Sequence, residues 1–207
     1  MTQASGAGPI DDVIVHTRLE NGVKVCIRAV RPDDEDRLRS GIAQLSQESR
    51  YLRFFSVAPT PPDHVIERLV EVDGHRHLAW GAILSDDPQR TAIGVVHAVR
   101  NADRSQRGEF AVGIVDAYHG LGLARMLTAV LLVHCRIEGI AALDAQILNE
   151  NRAAMAFIQS LGGERSGSDE GVSDYVLDTG AALAKLRASE EPSGLKDVFA
   201  AFAVYLD

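Results

Sequence analysis

Hydrophobic and polar positions follow two rhythms along this chain. In "GVKVCIRAV", Gly22 to Val30, the residues Val23, Val25 and Ile27 alternate with Lys24, Cys26 and Arg28, the period of a strand with one buried face. Leu38, Ile42 and Leu45 then recur at helical spacing, which predicts a helix from Asp33 to about Ser46, with Asp33 as N-cap and acids in the first turn. "PDHVIERLVEV" reads as a further helix, with Val65, Ile66, Leu69 and Val70 on one side. Prolines 59, 61 and 62 break the chain before it. "HLAWGAILS" and "TAIGVVHAV" read as strands joined by the turn "DDPQ", hence a hairpin.

The second half changes rhythm. "GEFAVGIV" predicts a strand, Leu121 to Gly139 a long helix that is apolar on most sides, and Ile140 to Leu148 another strand. A long helix between two strands requires a parallel crossover. Gly139 is placed to end the helix in the left-handed conformation. Asn149 or Asn151 caps a following helix, "RAAMAFIQSLGG", and "VSDYVLD" is the last predicted strand. One or two helices occupy the tail from Ala181, broken at Pro192 to Gly194. The result is an α/β class: a mixed, mostly antiparallel sheet with a central parallel strand–helix–strand unit, flanked by helices.

The junction "DAYHGLGLARML" carries candidate chemistry. Gly120 and Gly122 sit between strand and helix, where unpaired N–H groups and the helix dipole favour a phosphate. They also suit a plain tight turn. No GK[ST] follows, and Arg125 stands where a dinucleotide fingerprint has its third glycine. Gly113, inside the preceding strand, marks a bulge or a close backbone approach and would let that strand part from its parallel neighbour. Backbone groups freed there, with a diphosphate at the helix start, describe a ligand like coenzyme A.

Composition narrows the setting. The chain has 207 residues with 46% hydrophobic content, enough for one sizeable core. A net charge of -8 argues against a general nucleic-acid or anionic-membrane partner, so "RYLRFF" reads as a helix packing its aromatics on the sheet. The two cysteines, Cys26 and Cys135, lie in apolar runs and read as buried free thiols. "HRH", His75 to His77, lacks the companion ligands of a metal site. The first residues show no signal peptide, and no run approaches the roughly 18 apolar residues of a membrane span. A cytoplasmic protein without metal is the expectation.

Two blocks resemble one family. "HGLGLA", His119 to Ala124, resembles the acetyl-CoA motif Q/R-x-x-G-x-G/A of the GNAT N-acetyltransferases, matching at Gly122 and Ala124, with His119 in the first position and Leu121 where a basic residue is common. "NENRAAMAFIQSLGG" is similar to a second family block at Asn151, Ala154, Leu161 and Gly162. The family's frequent tyrosine falls at Ile158 and its usual Phe at Gly163. "VCIRAVRPDDEDRL" with "LSQESRYLRFF" is similar to the GNAT domain of Pat-type bacterial protein lysine acetyltransferases.

The resemblance implies a GNAT fold over residues 21–180, a flexible tail over 1–20 and a helical extension over 181–207. It implies acetyl-CoA as co-substrate, held by Val112, Gly113, Ile114, His119, Gly120, Leu121, Gly122, Leu123, Ala124, Arg125 and Asn151. It implies a primary amine as acceptor, a protein lysine first and a small-molecule amine second, with Arg50 and Arg53 at the acceptor site. Pat-type domains often use a glutamate on the strand before the CoA loop as base, and Glu109 occupies that place. Partial burial is expected to raise its pKa toward the working range. An N–H near Ile114 would polarise the thioester carbonyl. A catalytically silent CoA-binding sensor and a Rossmann-like nucleotide binder are the other readings. In the extension, Leu195, Val198, Phe199, Phe202 and Leu206 either pack on their own domain or pair two chains, with a homodimer preferred.

Overall fold

The computed structural model describes residues 8–56, 58, 60–102 and 106–206. Residues 1–7 of the expected tail and Pro59 lie outside them. Eight strands form one sheet in the order β1-β2-β3-β4-β5-β6-β8-β7. They are β1 (Ile14–Arg18), β2 (Lys24–Ala29), β3 (His77–Leu84), β4 (Ala92–Arg100), β5 (Arg107–Ile114), β6 (Ala142–Leu148), β7 (Glu164–Asp169) and β8 (Val172–Asp178). Only β5 and β6 pair in parallel. A doubly wound nucleotide-binding sheet is parallel throughout its core, so this topology overturns the Rossmann-like reading.

The helices cover both faces. α1 (Glu35–Ala43), α2 (Gln47–Phe54) and α3 (Asp63–Val70) lie on one side, where Leu38, Ile42, Ile66 and Val70 form a small core with Val95 and Phe54. α4 (Leu123–Ile137), α6 (Thr179–Arg187) and α7 (Leu195–Ala201) lie on the other, over the main core. α5 (Arg152–Ser160) follows β6, capped by the Asn151 side chain, which accepts from the Ala154 N–H at 3.0 Å. Among the described residues no helix is long and apolar enough to cross a membrane.

Several expectations need correction. Residues 14–18, expected in a flexible tail, form β1, whose Thr17 hydroxyl donates to Asp197 of α7 at 2.6 Å. Asp33 does not cap the first helix: a 3-10 turn spans Pro32–Asp34, α1 starts at Glu35, and the buried residue is Asp34. The first helix ends at Ala43, short of Ser46, which instead caps α2, its hydroxyl accepting from the Ser49 N–H. In α2 no residue is fully buried, so its aromatics only edge the small core. Ile137, expected inside, is exposed.

The extension folds back on its own chain. Leu195, Val198, Phe202 and Leu206 are all buried, and Phe202 meets Trp80 edge-on with ring centroids 5.5 Å apart. A side chain such as Phe202 contributes about 1.5–3 kcal/mol by leaving water. These four side chains therefore pack within the chain, while Phe199 is half-buried. Both cysteines are buried free thiols, and burial pushes Cys135 up to about 12, far from a reactive thiolate.

Candidate acceptor and donor cleft

The parallel pair holds together only briefly. β5 pairs with β6 at Arg107, Gly108 and Glu109, opposite Ala142, Leu143 and Asp144. An ion pair between Arg107 and Asp144 closes this end. Beyond Glu109 the strands separate, and a cleft of about 1070 Å³ opens between Phe110–Ile114 and Ala145–Ile147. The other side of β5 stays zipped to β4, in continuous register from Gly94–Ile114 to Arg100–Gly108. No bulge occurs at Gly113, contrary to expectation, and the parting starts before that residue. Packing at the far end explains the divergence. A Cβ on Gly94 would lie 2.7 Å from Ile114 and 3.1 Å from Leu123, so these side chains settle into the space that Gly94 leaves and hold the end of β5 towards β4 and α4.

The parting frees backbone groups. The Val115 N–H donates to Ile93 at 2.9 Å, so by antiparallel alternation the polar groups of Val112 and Ile114 face the cleft. The Ile114 carbonyl accepts from His119 Nε2 at 2.8 Å, which leaves the Ile114 N–H directed at the opening. Val112, Gly113 and Ile114 thus line the wall as expected.

The rim is the strand-to-helix loop. Gly120 and Gly122 have φ of +71° and +83°, the left-handed region, and Gly122 is the residue before α4. No acid occupies the first turn of α4. His119, Gly120, Gly122, Leu123, Ala124 and Arg125 line the cleft, and Asn151 lies on the far wall. Leu121 does not: its side chain packs on the main core and its carbonyl accepts from the Glu20 N–H at 3.3 Å.

Several donor-side residues have no signature in the local sequence. Glu20, Ser189, Glu191 and Pro192 line the same rim. Arg125 donates to the Ser189 hydroxyl at 3.1 Å, and the Ser193 N–H donates to Glu20 at 2.9 Å. A Cβ on Gly122 would stand 2.4 Å from Cβ of Pro192, so the extension presses directly on the loop. These partners are 64 and 173 residues apart in sequence, and no local pattern announces them.

The opposite side of β5 faces α1–α3. Register places Val95, His97, Glu109, Ala111 and Gly113 on this face, with Glu109 diagonal to His97. Glu109 stands where the strands part, but it is exposed and does not line the cleft proper. The partial burial expected of it is absent. Arg53, in the last turn of α2, lines the cleft and lies across Gly113. Burial pulls its pKa down, and the charge of Glu109 opposes that shift. Arg50 is not in the cleft: it donates to the Leu45 carbonyl at 2.6 Å and serves the α1–α2 corner.

Two histidines complete this face. His77 Nδ1 bonds the Glu71 carbonyl at 3.0 Å and therefore carries the proton there. Its Nε2 accepts from His97 Nδ1 at 2.9 Å, which leaves the buried His97 Nε2 as a lone pair with no partner. Burial, with the positive charge of Arg53, holds His97 well below the ordinary histidine range. His75 pairs with Glu138, and among the described residues no group of three or more His, Cys, Asp or Glu is gathered for a metal.

A carboxylate ties the two ends of the site. Asp116, at the head of the loop, accepts from the Ser46 hydroxyl at 2.6 Å, the Ser46 N–H at 3.1 Å and the Ser49 hydroxyl at 2.8 Å. Burial opposes its charge, but these donors hold its pKa at about 2. The start of α2 is thereby fixed to the rim loop.

Comparison with known proteins agrees with this geometry. A family model for the acetyltransferase (GNAT) domain matches residues 24–164. "Acetyltransferase Pat" of Mycolicibacterium smegmatis is 28% identical over 158 residues, 76% of this chain and 46% of that protein. The chain thus spans under half the length of that relative. "Acetyltransferase PA5475" of Pseudomonas aeruginosa is 29% identical over 153 residues, 73% of this chain and 82% of that protein. Among solved structures, the GNAT domain of S. lividans PAT superposes with a TM-score of 0.73 at 25% identity, over 80% of this chain and 96% of that one.

Proposed function

The chain belongs to the GNAT acetyltransferase family, and on that footing we propose that it transfers the acetyl group of acetyl-CoA to a primary amine, a protein lysine in first place, with Glu109 as general base. The observation that carries the reading is the parted β5–β6 pair, which opens a cleft of about 1070 Å³ beneath an acid-free helix start. The fit to acetyl-CoA is chemical at each point. The first N–H groups of α4 have no partner within the helix and suit a pyrophosphate. The cleft-facing groups of Val112 and Ile114 suit the amides of the pantetheine arm. Acetyl-CoA supplies the activated acyl group; the chain supplies position and proton handling.

Attack needs the neutral amine. At pH 7 a lysine of pKa near 10.4 pays about 4–5 kcal/mol to lose its proton. Glu109, at the point where the strands part, accepts that proton directly or through one water. Its exposure gives the proton a route to solvent. The Ile114 N–H stabilises charge on the thioester oxygen as the amine adds. Ile158, in the position where relatives of this fold often have tyrosine, is buried and has no proton to give. The departing thiolate takes its proton from elsewhere.

Thiol release from acetyl-CoA, measured with lysine peptides and with small amines, tests the acceptor class. Faster release with the peptides is expected; preference for the small amines would replace the lysine reading, and no release with either would overturn the transferase reading. The loop is tested by Gly122→Ala. Its left-handed backbone and the contact with Pro192 predict a loss of about 1–3 kcal/mol in stability together with weaker acetyl-CoA binding. An unaltered Tm and an unaltered calorimetric affinity would show that the loop tolerates a side chain there.

A further inference from the structure

Arg53 brings a guanidinium to the wall of the cleft. Several arginines on the α1–α3 side are matched with carboxylates, Arg28 and Arg37 with Asp34, Arg39 with Glu35 and Asp63, and Arg107 with Asp144, while Arg50 bonds the Leu45 carbonyl. Arg53 leaves solvent in part, yet among the described residues its guanidinium makes neither a hydrogen bond nor an ion pair. It stacks over Phe54 with Cζ 5.1 Å from the ring centroid, and its Cδ and Nε lie 3.7 Å from the place a Gly113 Cβ would take. The side chain thus lies within van der Waals reach of β5 at Gly113, on the cleft wall.

The placement is a prepared fork. A guanidinium offers five N–H donors in one plane and matches a carboxylate with two parallel bonds. The guanidinium rests over Phe54 and beside Gly113, and its fork is planar before any ligand binds. Glu109 acts on Arg53 through space without bonding it. His97 keeps no charge of its own and adds no competing cation. The face thus presents a negative group, Glu109, and an open positive group, Arg53, side by side.

We propose that the amine acceptor carries a carboxylate close to its reacting nitrogen and that Arg53 binds this carboxylate. The proposal rests on reading the cleft as an acetyltransferase site. The carboxylate has two possible sources, an acidic residue next to a peptide lysine or the free carboxylate of an amino acid, and both offer the same chemistry. A polyamine brings a second cation in its place, which Arg53 repels.

The test compares acceptors in matched pairs, with acetyl-CoA present: a lysine peptide with adjacent glutamate against the same peptide with glutamine, and free lysine against its carboxamide. Spermidine serves as the dicationic control. A hydrogen bond between two charged groups is roughly twice as strong as a neutral one, so kcat/KM is expected to favour the carboxylate member of at least one pair about tenfold or more. The pair that shows the preference identifies the source. In Arg53→Met the ratio is expected to fall to about one, with Arg53→Lys between, and circular dichroism confirms that both variants are folded. A wild-type ratio near one in both pairs, a ratio that survives in folded Arg53→Met, or spermidine as the best acceptor overturns the inference and leaves the acetyltransferase reading standing. Transfer to no acceptor overturns that reading, and the inference with it.

Discussion

Glu109→Gln is expected to lower kcat for acetyl transfer by about 10²–10⁴-fold, the usual contribution of a positioned base. Glutamine keeps the size of the side chain and removes its ability to take a proton. Glu109 is exposed and lies outside the acetyl-CoA walls, so the fold and the donor affinity are expected to survive. The loss belongs to the chemical step and shrinks as rising pH deprotonates the amine without help. Stopped-flow or steady-state thiol release across pH, beside calorimetry with acetyl-CoA, reads both quantities. A variant with wild-type kcat near neutral pH would remove Glu109 from the mechanism.

Asp34→Asn is expected to cost about 3–5 kcal/mol of folding stability, the typical price of breaking one side of a buried ion pair. Asp34 accepts from both terminal nitrogens of Arg28 at 2.6 Å, from the Arg31 N–H at 2.9 Å and from Arg37 at 2.7 Å. Its side chain is 9% exposed and that of Arg28 15%. Asparagine leaves the Arg28 charge uncompensated at the turn that launches α1. Burial alone would raise the carboxyl pKa, but Arg28, Arg31 and Arg37 overcome it and hold it at about 2. A depressed folded pKa gives stability that is fully present above the unfolded value near 3.9 and is lost as pH falls through about 2. The wild type should therefore lose about 2–3 kcal/mol across that window through this group, and Asp34→Asn should lack that part of the acid limb. Urea unfolding at a series of pH values measures both; equal stability of the two proteins at neutral pH would contradict the account.

The elements legible in the sequence are those whose burial writes a period into it. β3 and β4 are mostly apolar runs on either side of the turn "DDPQ", and they pair as a hairpin. The β5–α4–β6 unit has a long apolar helix, a left-handed glycine at each end and the parallel pairing that follows. β7, "ERSGSD", was not legible: it is exposed almost throughout and is held by hydrogen bonds to β8 with no apolar face. β1 was hidden for a related reason, since its inward residues are only Val15 and Thr17, and Thr17 finds its partner in α7.

The site shows the same division. The glycine loop and Asn151 announce themselves by local geometry, and they line the cleft. Arg50 and Arg53 look alike in "SRYLRFF", yet the helix turns Arg50 to the Leu45 carbonyl and Arg53 to Gly113. Asp33 and Asp34 are equally good caps on paper, and only the position of Arg28 on β2 selects Asp34. The contribution of Glu20, Ser189 and Pro192 to the rim depends on the extension folding back over α4, a tertiary fact with no local signature.

The central claim is that the gap between β5 and β6 is an acetyl-CoA site, and calorimetric titration of the purified protein with acetyl-CoA, with NAD and ATP as controls, tests it most directly. The account predicts selective binding in the micromolar range, with neither control competing. Absence of binding, or equal binding of NAD or ATP, would contradict it.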